Sequence, residues 1–281
     1  MRAEQLTDPL AYHAEGPVWS PRWGGLRWLD MLAGDILSLD GQSQVGRTHV
    51  GDIVAAVRPR RDGGAVIGVE RGFVLEGPEG ELTRLPPLWQ SGDTRMNEGS
   101  CDPDGRFYCG SMSYDQETPL GRLFRLDPDG SSSEVLDGIT VSNGLDWSPD
   151  GSRAYYNDTP NRRIDVFDYD PDTGLHNRRC FARIPDGGMP DGLTVDADGG
   201  VWSAVFNHGV VQRFSADGEL DDIVEVPVRQ VTACCFGGHD LGELYITTSR
   251  EGLGDGEDPP AGSVFVARPG VAGLPAREFA G

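Results

Sequence analysis

The stretch Asp102–Cys109, DPDGRFYC, decides the fold. Its first four residues carry turn chemistry: Asp and Pro initiate the turn, and Gly accepts a positive φ. The aromatic run that follows has strand propensity, so the stretch reads as a hairpin turn entering a strand. The same reading recurs in SPDGSRAYY from Ser148 and DADGGVWSA from Asp196. Degenerate forms stand at Ser20 (SPRWGGLRWLD), Arg60 (RRDGGAVIGV) and near Gly237 (GGHDLGELYITT). The starts at 20, 60, 102, 148, 196 and about 237 lie roughly 40 to 48 residues apart, the period of a four-stranded propeller blade.

A second set of turns falls between members of the first: SLDG at Ser38, EGPEG at Glu76, DPDG at Asp127, DPDTG at Asp170, SADG at Ser215 and ARPG at Ala267. Two hairpins per unit fit an up-and-down blade. The prediction is an all-β chain, a six-bladed β-propeller with four antiparallel strands per blade, spanning residues 1–281 as one domain. The DxDG turns are not calcium loops of the helix-loop-helix kind, which need flanking helices and a bidentate Glu at their twelfth position. The last unit is one strand short. Because an open edge is a liability, residues near Glu4–Thr7 or the C-terminal segment are expected to supply the missing outer strand.

Composition agrees and narrows the function. Gly 40 and Pro 20 in 281 residues are spread evenly, as many short strands and tight turns require. With 45 acidic against 24 basic residues the net charge is −21, which repels a phosphate backbone or an anionic membrane. The N-terminus lacks the apolar core of a secretory signal, so a cytoplasmic location is expected. The five cysteines show no metal-binding spacing and read as reduced, mostly buried thiols.

Counting back five residues from each turn start reaches the beginning of each innermost strand: Glu15, Ala55, Asn97, Asn143, Asp191 and, in a less regular unit, Thr232. Equivalent positions in a propeller form a ring about its axis. Glu15, Asn97, Asn143 and Asp191 bring oxygen atoms to it, each followed by Gly directly or after one residue. Two carboxylates and two amides converging at one mouth stay underpaired unless a cation sits among them. With no His or Cys in the set, Ca²⁺ is the first choice, with Mg²⁺ and Mn²⁺ possible and Zn²⁺ also able to accept carboxylates.

These residues also resemble the gluconolactonase/regucalcin (senescence marker protein) family of six-bladed propeller lactonases. The resemblance runs through AEGPVW at Ala14, RMNEGSCDPDGRFYCGSM at Arg95, VSNGLDWSPDG, MPDGLTVDADGGVWSA, PVRQVTACCFGG and LYITTSREGL, nearly the whole chain. It implies a divalent-metal site made by Glu15, Asn143 and Asp191, with Arg95 and Asn97 contacting a sugar-acid lactone. Glu98 stands where the family usually has Asp. The implied activity is hydrolysis of a glucono- or pentonolactone to the open acid. Read from the residues themselves, Asp191 at the ring can take a water's proton, and Asp115 in the loop SMSYDQETPLG either reaches over the pocket to substrate hydroxyls or is a solvated loop acid. Alternatives are a promiscuous esterase or organophosphate hydrolase on the same centre, or a non-catalytic metal-binding propeller. The expected partner is a small sugar lactone, with neither nucleic acid nor membrane, and the chain is expected to be a monomer or weak homo-oligomer. His208 reads as a loop residue, Cys234 and Cys235 as structural thiols, and Trp19, Trp147, Trp202 and Phe236 as packing between blades.

Overall fold

The computed structural model describes residues 1–41 and 44–281. It is a propeller of six four-stranded antiparallel sheets. No α-helix occurs among the described residues; helical structure is limited to four 3-10 turns. None is long and apolar enough to cross a membrane.

The turns form for the reason their residues suggest. Asp102 Oδ1 accepts from Asp104 N at 3.0 Å and Arg106 N at 2.8 Å, and Gly105 takes φ +83°. Asp196 repeats this in another blade, with Asp198 N at 3.0 Å and Gly200 N at 2.8 Å, and Gly199 again at +83°. An Asp at the start and a Gly at the left-handed position therefore preset each hairpin.

The innermost strands are Ala14–Ser20, Val54–Pro59, Thr94–Cys101, Ser142–Trp147, Met189–Val195 and Val231–Gly237, for blades 1 to 6 in order. Every one loses register against its neighbour at the ring position. The shifts fall between Glu15 and Val18, Val54 and Ala56, Met96 and Glu98, Ser142 and Leu145, Pro190 and Leu193, and Val231 and Cys234. A bulge releases its residue from the ladder and re-aims the side chain; Ala55, Asn97, Asn143, Asp191 and Thr232 are released in this way, whereas Glu15 stays paired with Leu29 and the slip follows it at Gly16 and Pro17. Adjacent inner strands also approach closely there. A Cβ on Gly144 would lie 2.5 Å from Leu193 N, and one on Gly192 would lie 2.4 Å from Ala233 Cβ, so glycine is required at both.

Aromatic residues fill the wedges between blades. Trp147 packs edge-on against Tyr108 of blade 3 at 5.5 Å, and Phe236 against Trp202 of blade 5 at 5.8 Å. Trp19 sits against Gly237 across the junction of blades 1 and 6. All four aromatic positions expected between blades are there.

Closure uses both chain termini. Glu4–Gln5 is the outer strand of blade 6, pairing Glu4 with Val266 and Gln5 with Phe265. The ARPG turn at Ala267 opens no fourth strand but leads into residues 271–281, which cross the face opposite the ring and touch a hairpin turn of every blade. Glu278 pairs with Arg22, Phe279 N donates to Pro59 O, and Ala280 N donates to Gly105 O. Arg277 Nη2 donates to Ser148 O, Ala197 N to Ala272 O, and Gly273 N to Leu241 O.

Candidate active site and metal centre

The bulges of blades 1, 3, 4 and 5 bring Glu15, Asn97, Asn143 and Asp191 to one end of the channel, all buried. Arg95, two residues ahead of Asn97, is buried with them. Its Nη1 donates to Asn97 Oδ1 at 2.7 Å and to Met96 O at 3.0 Å. Asn97 Nδ2 donates to Ser142 O at 2.8 Å and to Asn143 Oδ1 at 3.0 Å. Asn143 Nδ2 donates to Thr159 Oγ1 at 2.8 Å, and Thr159 Oγ1 donates to Pro190 O at 2.8 Å, next to Asp191. One directed chain of hydrogen bonds thus runs from Arg95 to the strand carrying Asp191. It fixes the sense of both amides, since reversing either would set donor against donor.

The acids sit in a negative field. Glu15 is pushed up to about 8 by burial and then by the charge of Glu98, against the bond its Oε2 accepts from Gly16 N at 2.8 Å. Asp191 is raised well above the ordinary carboxylate range by burial, then by Glu15 and Glu98. Among the described residues neither forms an ion pair. Arg95 acts on both from a distance, itself lowered by burial.

Two buried carboxylates without a counterion, beside an amide oxygen, fit a hard divalent cation. Among the described residues no three His, Cys, Asp or Glu side chains converge to hold one. The third ligand of a Glu15–Asp191 site must therefore be an amide oxygen, and Asn143 Oδ1 retains a lone pair for it. Asn97 has spent both amide hydrogens and offers only the second lone pair of Oδ1. Arg95 keeps Nε and Nη2 without a partner among the described residues.

Asp115 lies apart from this network. It stands in the exposed connection Tyr114–Leu120 on the ring side, and its carboxylate accepts from Ser113 Oγ, Glu117 N, Thr118 N and Thr118 Oγ1, all within the same loop. Those bonds hold its pKa below the usual carboxylate range. His208 is an exposed loop residue, with Nδ1 3.2 Å from Phe206 O.

Four residues near the site carry roles that spacing alone did not single out. Asn157, fully buried, donates from Nδ2 to Asp191 O at 2.6 Å; the second strand of its blade is predictable, but its reach into blade 5 is not. Buried His13 is held neutral, down to about 3, by burial and by Arg95; its Nδ1 lies 2.7 Å from Ser249 Oγ. Its 3.4 Å approach to Glu251 Oε2 is therefore no ion pair. Glu251 supplies the strongest charge opposing the desolvation of Arg95. Glu98 turns its carboxylate into an axial cavity of about 60 Å³ that it shares with Arg58, Asp146 and Cys234, beneath the ring. Burial raises it to about 7, and its Oε2 has no hydrogen-bond partner.

The comparisons with known proteins bear on the whole of this arrangement. Residues 13–250 match the SMP-30/Gluconolactonase/LRE-like region. The chain is 37% identical to 6-deoxy-6-sulfogluconolactonase of Pseudomonas putida, over 95% of this chain and 94% of that one. It is 36% identical to pentonolactonase XacC of Haloferax volcanii, over 91% and 88%. A crystal structure of the calcium-binding protein regucalcin from Agrobacterium tumefaciens superposes with TM-score 0.93 at 26% identity, covering 99% and 97% of the two chains. The six blades, the bulged ring and these matches along nearly the whole length lead to one conclusion: the chain belongs to the SMP-30/gluconolactonase/LRE-like family.

Proposed function

We propose that this chain is a lactonase that opens a sugar-acid lactone at the ring mouth, using a divalent cation held by Glu15, Asn143 and Asp191. The observation that carries the reading is the pair of buried, counterion-free carboxylates facing a directed amide chain that ends in a guanidinium. Relatives named as lactonases over nearly the same length support the substrate class. A regucalcin described as calcium-binding supports Ca²⁺ as the first candidate.

A divalent cation in such a site polarises a carbonyl and acidifies a water. The protein's own groups do the rest. Arg95 directs its unpaired Nε and Nη2 hydrogens at ring or carbonyl oxygens, in the planar geometry a guanidinium imposes. Asn97 holds Arg95 and Asn143 in register. Asp191, at the ring beside the cation, takes the proton of the attacking water. The water oxygen bonds to the carbonyl carbon, the bond from that carbon to the ring oxygen breaks, and the ring oxygen takes up a proton as the open hydroxy acid leaves.

The test is hydrolysis across pentono- and hexonolactones with and without chelator, corrected for spontaneous opening. A simple aryl ester and a phosphotriester serve as rival substrates. Chelator-sensitive turnover of the lactones above the rivals is expected. Turnover of the esters alone, or of nothing, would overturn the reading.

A further inference from the structure

We infer that Glu251 selects among lactones by charge, admitting uncharged polyhydroxy lactones and disfavouring those with an anionic substituent; the inference rests on the lactonase reading above. Glu251 lies in the connection that follows the strand Glu243–Thr248 of blade 6, on the same face as the ring. Its backbone is pinned from several directions. Glu251 N donates to Ser249 Oγ at 3.0 Å, and its carbonyl accepts from Gln230 Nε2 at 3.2 Å. The flanking Arg250 N and Gly252 N donate to Tyr12 O at 3.0 Å and Tyr12 Oη at 3.2 Å. A long surface loop is normally mobile, but this residue is fixed to the segment leading into Glu15.

Its side chain is not neutralised. The basic group beside Oε2 is His13 Nδ1 at 3.4 Å, already engaged by Ser249 Oγ at 2.7 Å. No Arg or Lys pairs with Glu251 among the described residues. The side chain is 37% exposed and reaches within 3.4 Å of His13, two residues ahead of Glu15, where His13 bridges to Ser249, so it stands at the rim of the same mouth as an open acceptor. Arg95 offers unpaired donors there. A polyol satisfies both, accepting from Arg95 and donating a hydroxyl to Glu251, whereas an anionic group brought against Glu251 meets a like charge.

The experiment compares kcat/KM of the full-length protein and its Glu251→Gln and Glu251→Asp variants. The substrates are an unsubstituted hexonolactone and the same ring carrying a terminal sulfonate or phosphate. Glu251→Gln should lower the neutral-to-anionic preference about tenfold or more, mainly through KM, while Glu251→Asp keeps the charge and the preference. A preference unchanged in Glu251→Gln, with hydrolysis intact, overturns this inference alone. Failure of the unmodified protein to hydrolyse either lactone overturns the lactonase reading and this inference with it.

Discussion

Asn97 donates to Asn143 Oδ1 at 3.0 Å, so a residue of blade 3 decides which end of an amide in blade 4 is the oxygen. Groups that orient a metal ligand typically contribute about 10–100-fold in affinity. Asn97→Ala is therefore expected to weaken Ca²⁺ binding by about that factor, read by calorimetry. Thr159→Val, which removes the partner of Asn143 Nδ2, should act in the same direction. Unchanged affinity in both would mean that Asn143 needs no orienting.

Asp191 is assigned two roles, and substitution separates them. Asp191→Asn keeps an oxygen but loses basicity, so a variant still loaded with cation should fall in kcat by about 10²–10⁴-fold. Glu15→Gln should instead lower bound metal, measured by elemental analysis. If metal-loaded Asp191→Asn turned over like the parent protein, Asp191 would be a ligand only and Glu15 the next base to test.

The raised carboxylates give the metal-free protein an inverted pH response. Glu15 moves from its ordinary 4.5 to about 8 in the fold, so the fold holds the proton more tightly than the unfolded chain. That contribution to stability is complete below 4.5 and is lost as pH rises towards about 8. Cation binding requires the deprotonated acids and grows over the same range. Chelated protein should therefore melt lower near pH 8.5 than near pH 5, and added Ca²⁺ should raise the melting temperature more at the higher pH, to about the extent that proton competition predicts. A larger calcium effect at the acidic end would contradict the assignment.

The segment 271–281 lines the axial cavity beside Cys234 and Cys235. Both thiols are raised by burial, Cys235 to about 12. Cys101 and Cys109 are also buried, and Cys180 is exposed. In the native protein a thiol reagent should modify Cys180 rapidly and the other four slowly. Removing residues 274–281 should bring Cys234 and Cys235 into the fast class, with circular dichroism checking that the strands persist. No change in labelling would show that the segment does not seal the channel.

Much of this was legible because blades repeat. The DPDG-type turns carry their own hydrogen bonds within four residues, so their spacing announces six blades without reference to tertiary contacts. The ring could be read because one offset in six repeats points to one axis. What stayed hidden is what crosses between repeats. The reach of Asn157 to Asp191 O depends on how adjacent blades rotate, and the commitment of Asp115 to its own loop depends on local backbone geometry. The approach of His13 to Glu251 joins residues more than two hundred positions apart. The sequence marked the last blade as one strand short and left two candidates for it. Only the three-dimensional pairing assigns Glu4–Gln5 to that edge and the C-terminal segment to the opposite face.

The bulge in each inner strand has an evolutionary corollary. Because the ring residue is released from the ladder in five of the six blades, all but that of Glu15, exchanging it there leaves the blade's hydrogen bonds in place. Ala55 already occupies one of the six positions with no functional group, and Thr232 turns its hydroxyl inward to Ala14 O at 2.7 Å. The ring is in effect a six-letter word on a fixed page, in which four letters are spelled with oxygen and two are blank. New chemistry at this mouth can arise by rewriting single letters, without asking the propeller to fold in a new way.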